Sequence, residues 1–427
     1  MIKFLTTLLL LAFVVHDHGA LGQAMTCLSD NEIDTVPKTI YSDLYRGEQI
    51  FTVSMLSAIQ RATPNENIFF SPYSTYHALL LAYFGARNHT EQELVQVLNL
   101  QWAKDKNHVN RAYRVEKQQR YMRSKKMPIE FSSADKIFFS EDIKLNECMI
   151  DLFYDELESM DFHTNAEQCR QQINGWVANL THNEIPEMLN SGDVTADTQM
   201  VLANAAYFKG QWANQFDPKD TTQDVFYTKP DKQSFVPMMH KRGIYNLAID
   251  ERLGAHILEM PYQTDKEDDK DSEISMIIVL PPFEKDSLEK VLSKLTPETL
   301  DLALKESMMR EIDISLPKFK FEQNLELMPV SPRSNADMSG FSTESKVVFG
   351  DAKHVAKIKV DEEGSTAAAA TMFFAFRSSR PVEPTKFECN HPFLFLIYDH
   401  KARAVLFTGI YQYFAEDILE DSIKLIK

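Results

Sequence analysis

Twelve histidines, four cysteines and sixty-two acidic residues give this 427-residue chain material for acid–base, nucleophilic or metal chemistry, but none of it is arranged for that work. There is no His-Glu-x-x-His helix to grip zinc and no Cys-x-x-Cys pair. A Gly-x-Ser-x-Gly nucleophile turn and a Gly-x-Gly-x-x-Gly phosphate loop are also missing. No cofactor or metal is implied, and the chain does not read as an enzyme. The chemistry it does offer belongs to a segment, Glu363-Gly364-Ser365-Thr366-Ala367-Ala368-Ala369-Ala370-Thr371. Glycine frees the backbone, and small uncharged side chains enter almost any packed surface. Charged ones there would be costly to bury. A stretch that is exposed at one time and buried as a strand at another needs this composition. Composition alone equally fits an alanine-rich helix, so the surroundings decide.

Those surroundings begin with compartment. A basic start, Met1-Ile2-Lys3, precedes twelve apolar residues from Phe4 to Val15, and Ala20-Leu21-Gly22 offers small residues for cleavage. That is the layout of a secretory signal peptide over residues 1–22, with a core too short to span a membrane. The expected product is a secreted, extracellular, soluble protein over residues 23–427. Two sequons, Asn88-His89-Thr90 and Asn179-Leu180-Thr181, agree with secretion. Cys27, Cys148, Cys169 and Cys389 allow three complete pairings that sequence cannot rank, with one bridge or none as open as two. No linker or repeat divides the chain, and 44% hydrophobic content supports one large domain.

A formal charge of −17 argues against nucleic-acid binding. One segment departs from it. Lys104, Lys106, Arg111, Arg114, Lys117, Arg120, Arg123, Lys125 and Lys126 face only Asp105 and Glu116. Steps of three sweep gradually around a helix, so Arg111, Arg114, Lys117, Arg120 and Arg123 would spread over a wide cationic face. Such a face suits a sulfated, heparin-like polysaccharide, an acidic partner, or no ligand at all.

The pattern of elements is mixed. Tyr76 to Leu81 and Glu91 to Leu98 look helical, and from Val201 onward strands dominate. Met276 to Leu280 is a buried-strand run closed by Pro281-Pro282. Ile314 to Phe321 alternates by two, as a strand does, and Ile358 to Glu363 is an acidic strand candidate. Phe393 to Tyr398 and Ala404 to Ile410 read as paired strands around the turn Asp399-His400-Lys401. The acidic cluster Asp265 to Asp271 reads as a loop, and Ala415 to Lys427 as a solvated extension.

Several segments together resemble the serpins. Asn67-Ile68-Phe69-Phe70-Ser71-Pro72-Tyr73-Ser74 is similar to their N-x-F-x-S-P-x-S signature, followed by Gly85-Ala86 and Thr90-Glu91-Gln92-Glu93-Leu94. Asn204-Ala205-Ala206-Tyr207-Phe208-Lys209-Gly210-Gln211-Trp212, with Phe216, Thr221 and Phe226, looks like their central-sheet signature. Val236-Pro237-Met238-Met239, Glu259-Met260-Pro261-Tyr262, Leu316-Pro317-Lys318-Phe319, Asn390-His391-Pro392-Phe393 and Phe407-Thr408-Gly409 complete the match, from about residue 40 to 413.

The resemblance implies an α+β fold of three β-sheets and eight or nine helices, with an exposed reactive loop over about residues 362–385. It implies a monomer that traps an extracellular serine protease. The enzyme attacks the loop and forms an acyl-enzyme, and the loop then enters the main sheet as a new strand. Ser365, Ala367, Ala369 and Thr371 would turn inward, and all are small and uncharged. Ser71, Ser74, Asn204 and Trp212 match positions where the sheet opens. Loop spacing in the family puts the scissile bond at Ser378-Ser379. One residue earlier, Arg377-Ser378 offers arginine to a trypsin-like pocket and is the preferred bait. A non-inhibitory serpin, acting as a carrier or chaperone, is the alternative. One departure stands out: Phe319 to Asn335 is about eight residues shorter than in the family and contains Pro329 and Pro332, so a helix there should be truncated or missing.

Overall fold

The computed structural model describes residues 28, 40–124, 129–229, 231–263, 274–326, 336–344, 347, 352–364 and 384–412. The stretch 1–22, the acidic cluster at 265–271 and the tail 415–427 lie outside them, as does 327–335 of the shortened segment. In chain order the described elements are α1 (Ile40–Ala62), β1 (Ile68–Phe70), α2 (Pro72–Gly85), α3 (Asn88–Val97), α4 (Lys106–Ser124), β2 (Glu130–Ser140), α5 (Glu147–Leu152), β3 (Leu157–Met160), α6 (Phe162–Leu180) and β4 (Met200–Lys209). There follow β5 (Thr222–Lys229), β6 (Lys232–Asp250), β7 (Ala255–Pro261), β8 (Ile274–Leu280), α7 (Ser287–Lys294), α8 (Pro297–Lys305), β9 (Met308–Pro317), β10 (Phe319–Glu326), β11 (Ala352–Val360), β12 (Thr385–Glu388), β13 (Phe393–Asp399) and β14 (Ala404–Tyr411). Eight α-helices among the described residues agree with the expected eight or nine.

Strand pairing gives two hydrogen-bonded sheets. One has five strands in the order β10-β11-β4-β2-β3, and the other has nine, running β1-β14-β13-β8-β7-β6-β9-β12 with β5 also on β6. The expected third sheet is not separate. Nineteen-residue β6 pairs with β5 through its first half and with β7 through its last, so the two smaller expected sheets are joined along one strand.

The alternating stretch Ile314–Phe321 is not one strand. It breaks at Lys318, where β9 leaves the large sheet and β10 enters the five-stranded one. The Lys318 amide still donates to the Pro237 carbonyl of β6 at 2.8 Å, and from Phe319 onward the chain pairs with β11 instead. The strand candidate Ile358–Glu363 is also shorter than its sequence suggests. β11 ends at Val360, because the Asp361 side chain accepts from the Glu363 amide and turns the chain.

Burial explains why the rest was readable. β8 and β13 are buried at every position, so both appear as unbroken apolar runs. α2 is buried almost all round because it runs through the centre of the molecule. Ser71 caps its start by accepting from the Ser74 amide, and Pro72 occupies its first turn. The five-stranded sheet is covered on one face by α6, through Ile173 and Val177 against Phe138, Val201, Ala203 and Val355. The intervening β4 side chains, Leu202, Asn204 and Ala206, point the other way, toward α2 and the body of the protein.

Candidate functional site

Three of the five strands in the smaller sheet bear on its function: β11, β4 and β2. β11 and β4 run parallel, paired from Ala352 with Leu202 to Lys357 with Tyr207. There the ladder stops. Ile358 to Val360 still pair with β10, but β4 has diverged, so the two strands part at one end of the sheet.

Within the paired stretch, His354 lies directly across from Asn204, and both are fully buried. The Ser71 amide donates to His354 Nε2 at 3.0 Å, which makes Nε2 an acceptor and places the ring proton on Nδ1. Nδ1–H then donates to the Asn204 side-chain carbonyl. The Asn204 amide in turn donates to Ser74 Oγ and to the Asp135 carboxylate on β2. Ser133 Oγ donates to Ser74 Oγ at 2.9 Å, and Ser71 Oγ donates to the Leu406 carbonyl at 2.7 Å. One chain of hydrogen bonds thus joins β11, β4, β2, α2 and β14 under the seam. Desolvation lowers the His354 pKa to about 3, so the ring is neutral, as the tautomer requires.

At the splayed end the chain turns through Asp361 to Gly364. Trp212, just beyond β4, stacks on Tyr262 at 4.6 Å and donates its indole N–H to the Asp361 carbonyl at 2.9 Å. The amides of Trp212 and Phe216 donate to the carbonyls of Glu363 and Glu362. The Glu362 carboxylate accepts from Lys318 at 2.7 Å and from Thr221 Oγ1 at 2.8 Å. Burial raises its pKa, but those two partners outweigh burial and the net direction is down. Gly364 has φ +83°, and a Cβ there would lie 2.4 Å from the Trp212 nitrogen. Only glycine fits that conformation and that approach. The small-residue segment therefore leaves the body where β4 and β11 part.

Comparison with known proteins bears on this geometry. The family model "Serpin (serine protease inhibitor)" matches residues 46–413. This chain belongs to the serpin family. It is 53% identical to Serine protease inhibitor 88Ea of Drosophila melanogaster over 87% of this chain and 90% of that protein. It is 30% identical to Antichymotrypsin-2 of Bombyx mori, over 86% of this chain and 97% of that one. The crystal structure of uncleaved ovalbumin superposes with a TM-score of 0.73 at 26% identity, covering 87% of this chain and all of that one. Serpins are protease inhibitors, not catalysts.

Of the site residues expected from sequence, this serpin brings Ser71, Ser74 and Asn204 into one network, and Trp212, Glu363 and Gly364 into the hinge. Ser365 to Ala370 and the bait candidates Arg377, Ser378 and Ser379 lie outside the described residues. Asn88 and Asn179 are both exposed, with the Asn88 amide donating to Asp337 at 2.7 Å. Cys148, Cys169 and Cys389 form no disulfide with one another, which removes any two-bridge pairing.

The cationic face on α4 is narrower than its spacing suggests. Arg120 turns inward to Glu116 at 3.1 Å with its guanidinium 3.9 Å over the Tyr73 ring, and Arg123 pairs with buried Asp399 at 3.0 Å. Arg111 is half-buried. Exposed Arg114 and Lys117 already hold the Leu152 carbonyl and Glu156. Buried anions claim the cations, because an unpaired carboxylate inside the fold costs far more than a solvated one.

Nothing in the sequence singled out His354, Asp135 or Ser133, or the role of Glu362. Lys318 and Thr221 lie in family-like motifs, but nothing in those motifs marks Glu362 as their shared partner. His354 gave no signal beyond being one histidine in an apolar run.

Two consequences follow for the native state. Replacing Glu362 with Gln is expected to raise the rate of thermal unfolding about five-fold, the value of about 1 kcal/mol for a pair whose lysine is well exposed. Adding Lys318→Ala should then cost little more. Independent, additive effects of the two changes would contradict the latch.

His354 is depressed from 6.5 to about 3. It therefore contributes stability above pH 6.5 that is lost as pH falls toward 3. Asp135, raised by desolvation to about 6, acts in the opposite sense between 3.8 and 6. His354→Gln removes only the histidine part. Its penalty should shrink by roughly 2–3 kcal/mol between pH 7.5 and 4.5, as read from unfolding midpoints. An equal penalty at both pH values would contradict a neutral buried ring.

Proposed function

We propose that this serpin is a secreted suicide-substrate inhibitor of trypsin-like serine proteases in an extracellular proteolytic cascade, of the immune or clotting type. The protease attacks the bond after Arg377, and its serine oxygen acylates on the arginine carbonyl while the amine of Ser378 leaves. The freed segment Ser365–Arg377 then enters between β4 and β11 as a sixth strand and carries the acyl-enzyme with it.

The observation that carries the reading is the junction at Gly364. A parallel pair of strands parts there, and the next seven residues, Ser365 to Thr371, are all small and uncharged. An added strand would place alternate residues of that run against the side of the sheet that carries Asn204 and His354 or against α6. Neither side would have to accept a charge or a large ring. Secretion is supported by the residue 1–22 pattern and by two sequons with exposed asparagines. Ser378 remains the second bait candidate, for an elastase-like or chymotrypsin-like enzyme.

Mixing the secreted protein with trypsin, chymotrypsin and elastase in turn should give a boiling-resistant complex on a denaturing gel, with trypsin most efficiently. Mass spectrometry of the released C-terminal fragment should find Ser378 as its first residue. Arg377→Ala should abolish the trypsin complex and leave the fold intact. Simple cleavage without a complex by every protease tried would overturn the inhibitory reading.

A further inference from the structure

α6 and the segment that follows it form one lid over the face of the smaller sheet opposite His354 and Asn204. The Asn174 side-chain carbonyl accepts from the amides of Met188 and Leu189 at 3.1 and 2.9 Å, and its amide donates to the Leu189 carbonyl at 2.9 Å. Arg170 donates to the same carbonyl at 2.6 Å and to the Glu187 carboxylate at 3.0 Å. Ile185, Met188, Leu189 and Val194 share one buried cluster with Val201, Ala203 and Ala205 of β4. The lid is therefore tied to β4 twice, by this packing and by the chain itself, which enters β4 at Met200.

Its hold on β11 is of another kind. Lys353, Val355 and Lys357 alternate along that strand and share the face toward the lid. Val355 joins the apolar cluster, whereas each lysine reaches an acid of the lid segment. Lys357 Nζ donates to the Glu184 carbonyl at 2.6 Å and lies 2.9 Å from its carboxylate, with Glu322 of β10 farther off at 3.8 Å. The hydrogen bond from Lys357 holds the Glu184 carboxyl below its usual range. Lys353, only 7% exposed, pairs with Asp193, whose carboxylate also accepts from the Asn190 amide at 2.6 Å. Lys357 faces Tyr207 in the last rung that joins β11 to β4, and Lys353 faces Ala203, four residues deeper.

We propose that Lys353 and Lys357 are positioning residues that fasten the lid across the seam and set how fast a strand can enter it. An added strand moves β11 one spacing, about 4.8 Å, away from β4 and from the lid that stays with β4. Both pairs must release to allow that shift. The pair at Lys357 stands at the mouth of the seam and opens first, and the pair at Lys353 follows. This inference rests on the insertion step of the inhibitory reading.

Uptake of a fluorescein-labelled peptide of residues 365–377 by the intact chain, followed on native gels, tests the fastening without a protease. Lys353→Met combined with Lys357→Met should take up the peptide about ten-fold faster than the unmodified chain, the ratio for about 1.4 kcal/mol from the two pairs. Lys357→Glu and Glu184→Lys should each speed uptake, and the two together should restore the slow rate, which a general loosening of the fold would not do. Equal uptake by the unmodified chain and every variant would overturn the fastening and leave the inhibitory reading standing. Speeding that the charge exchange does not reverse would do the same. Uptake by none of them would overturn both.

Discussion

The hydrogen bond from His354 to Asn204 crosses the one place among the described residues where two long, parallel strands meet at the middle of a sheet. Both side chains are fully buried, and each is tied to a different part of the body. His354 is fixed through the Ser71 amide at the start of α2, and Asn204 through Ser74 and Asp135. Parting β11 from β4 would therefore break more than a ladder of backbone bonds. It would strand the buried imidazole N–H of His354 and the buried side-chain carbonyl of Asn204, each costing about 1–3 kcal/mol if left without a partner. The seam is polar below and apolar above, where α6 covers it with Ile173 and Val177. A closed sheet with that cross-section resists opening, and resistance to opening is the property that a kinetically held state requires.

The hinge completes the arrangement. Trp212, Lys318 and Thr221 come from three separate segments and converge on Asp361 to Glu363. They hold the start of the small-residue segment at the splayed end of the seam. On the proposed mechanism the two features oppose each other. The network under β4 and β11 keeps the sheet shut, while the hinge keeps the future strand aimed at the gap. Cleavage at Arg377 would release the far end of the segment and leave insertion limited by the seam alone.

Much of this was legible in the sequence because packing imposed it on particular residues. β13 and β14 were readable since every position is buried, and the helix read over Tyr76 to Leu81 is the middle of α2. Asn204 and Trp212 were picked out by motif. The partner across the seam was not, because a histidine that serves as an internal acceptor looks the same in sequence as one on the surface. Other readings failed where local pattern met a tertiary constraint. Ile314–Phe321 reads as one alternating strand and yet serves two sheets: its apolar phase switches between Leu316 and Phe319, where the partner changes from β6 to β11. The basic steps along α4 looked outward-facing, but buried Glu116 and Asp399 draw Arg120 and Arg123 inside. The acidic run Asp361–Glu363 looked like the end of a strand and is a turn, shaped by the Asp361 side chain and closed by a glycine at positive φ.

The central claim is that the native sheet is closed but not at its lowest free energy, with room for one more strand between β4 and β11. The most direct test is the thermal unfolding midpoint before and after a single cut within residues 365–383, followed by circular dichroism. The account predicts a large upward shift on cleavage, because the freed segment adds a full strand of backbone hydrogen bonds and buried methyl groups to the sheet. An unchanged or lowered midpoint, with the cut confirmed by mass spectrometry, would show that the seam does not admit the loop.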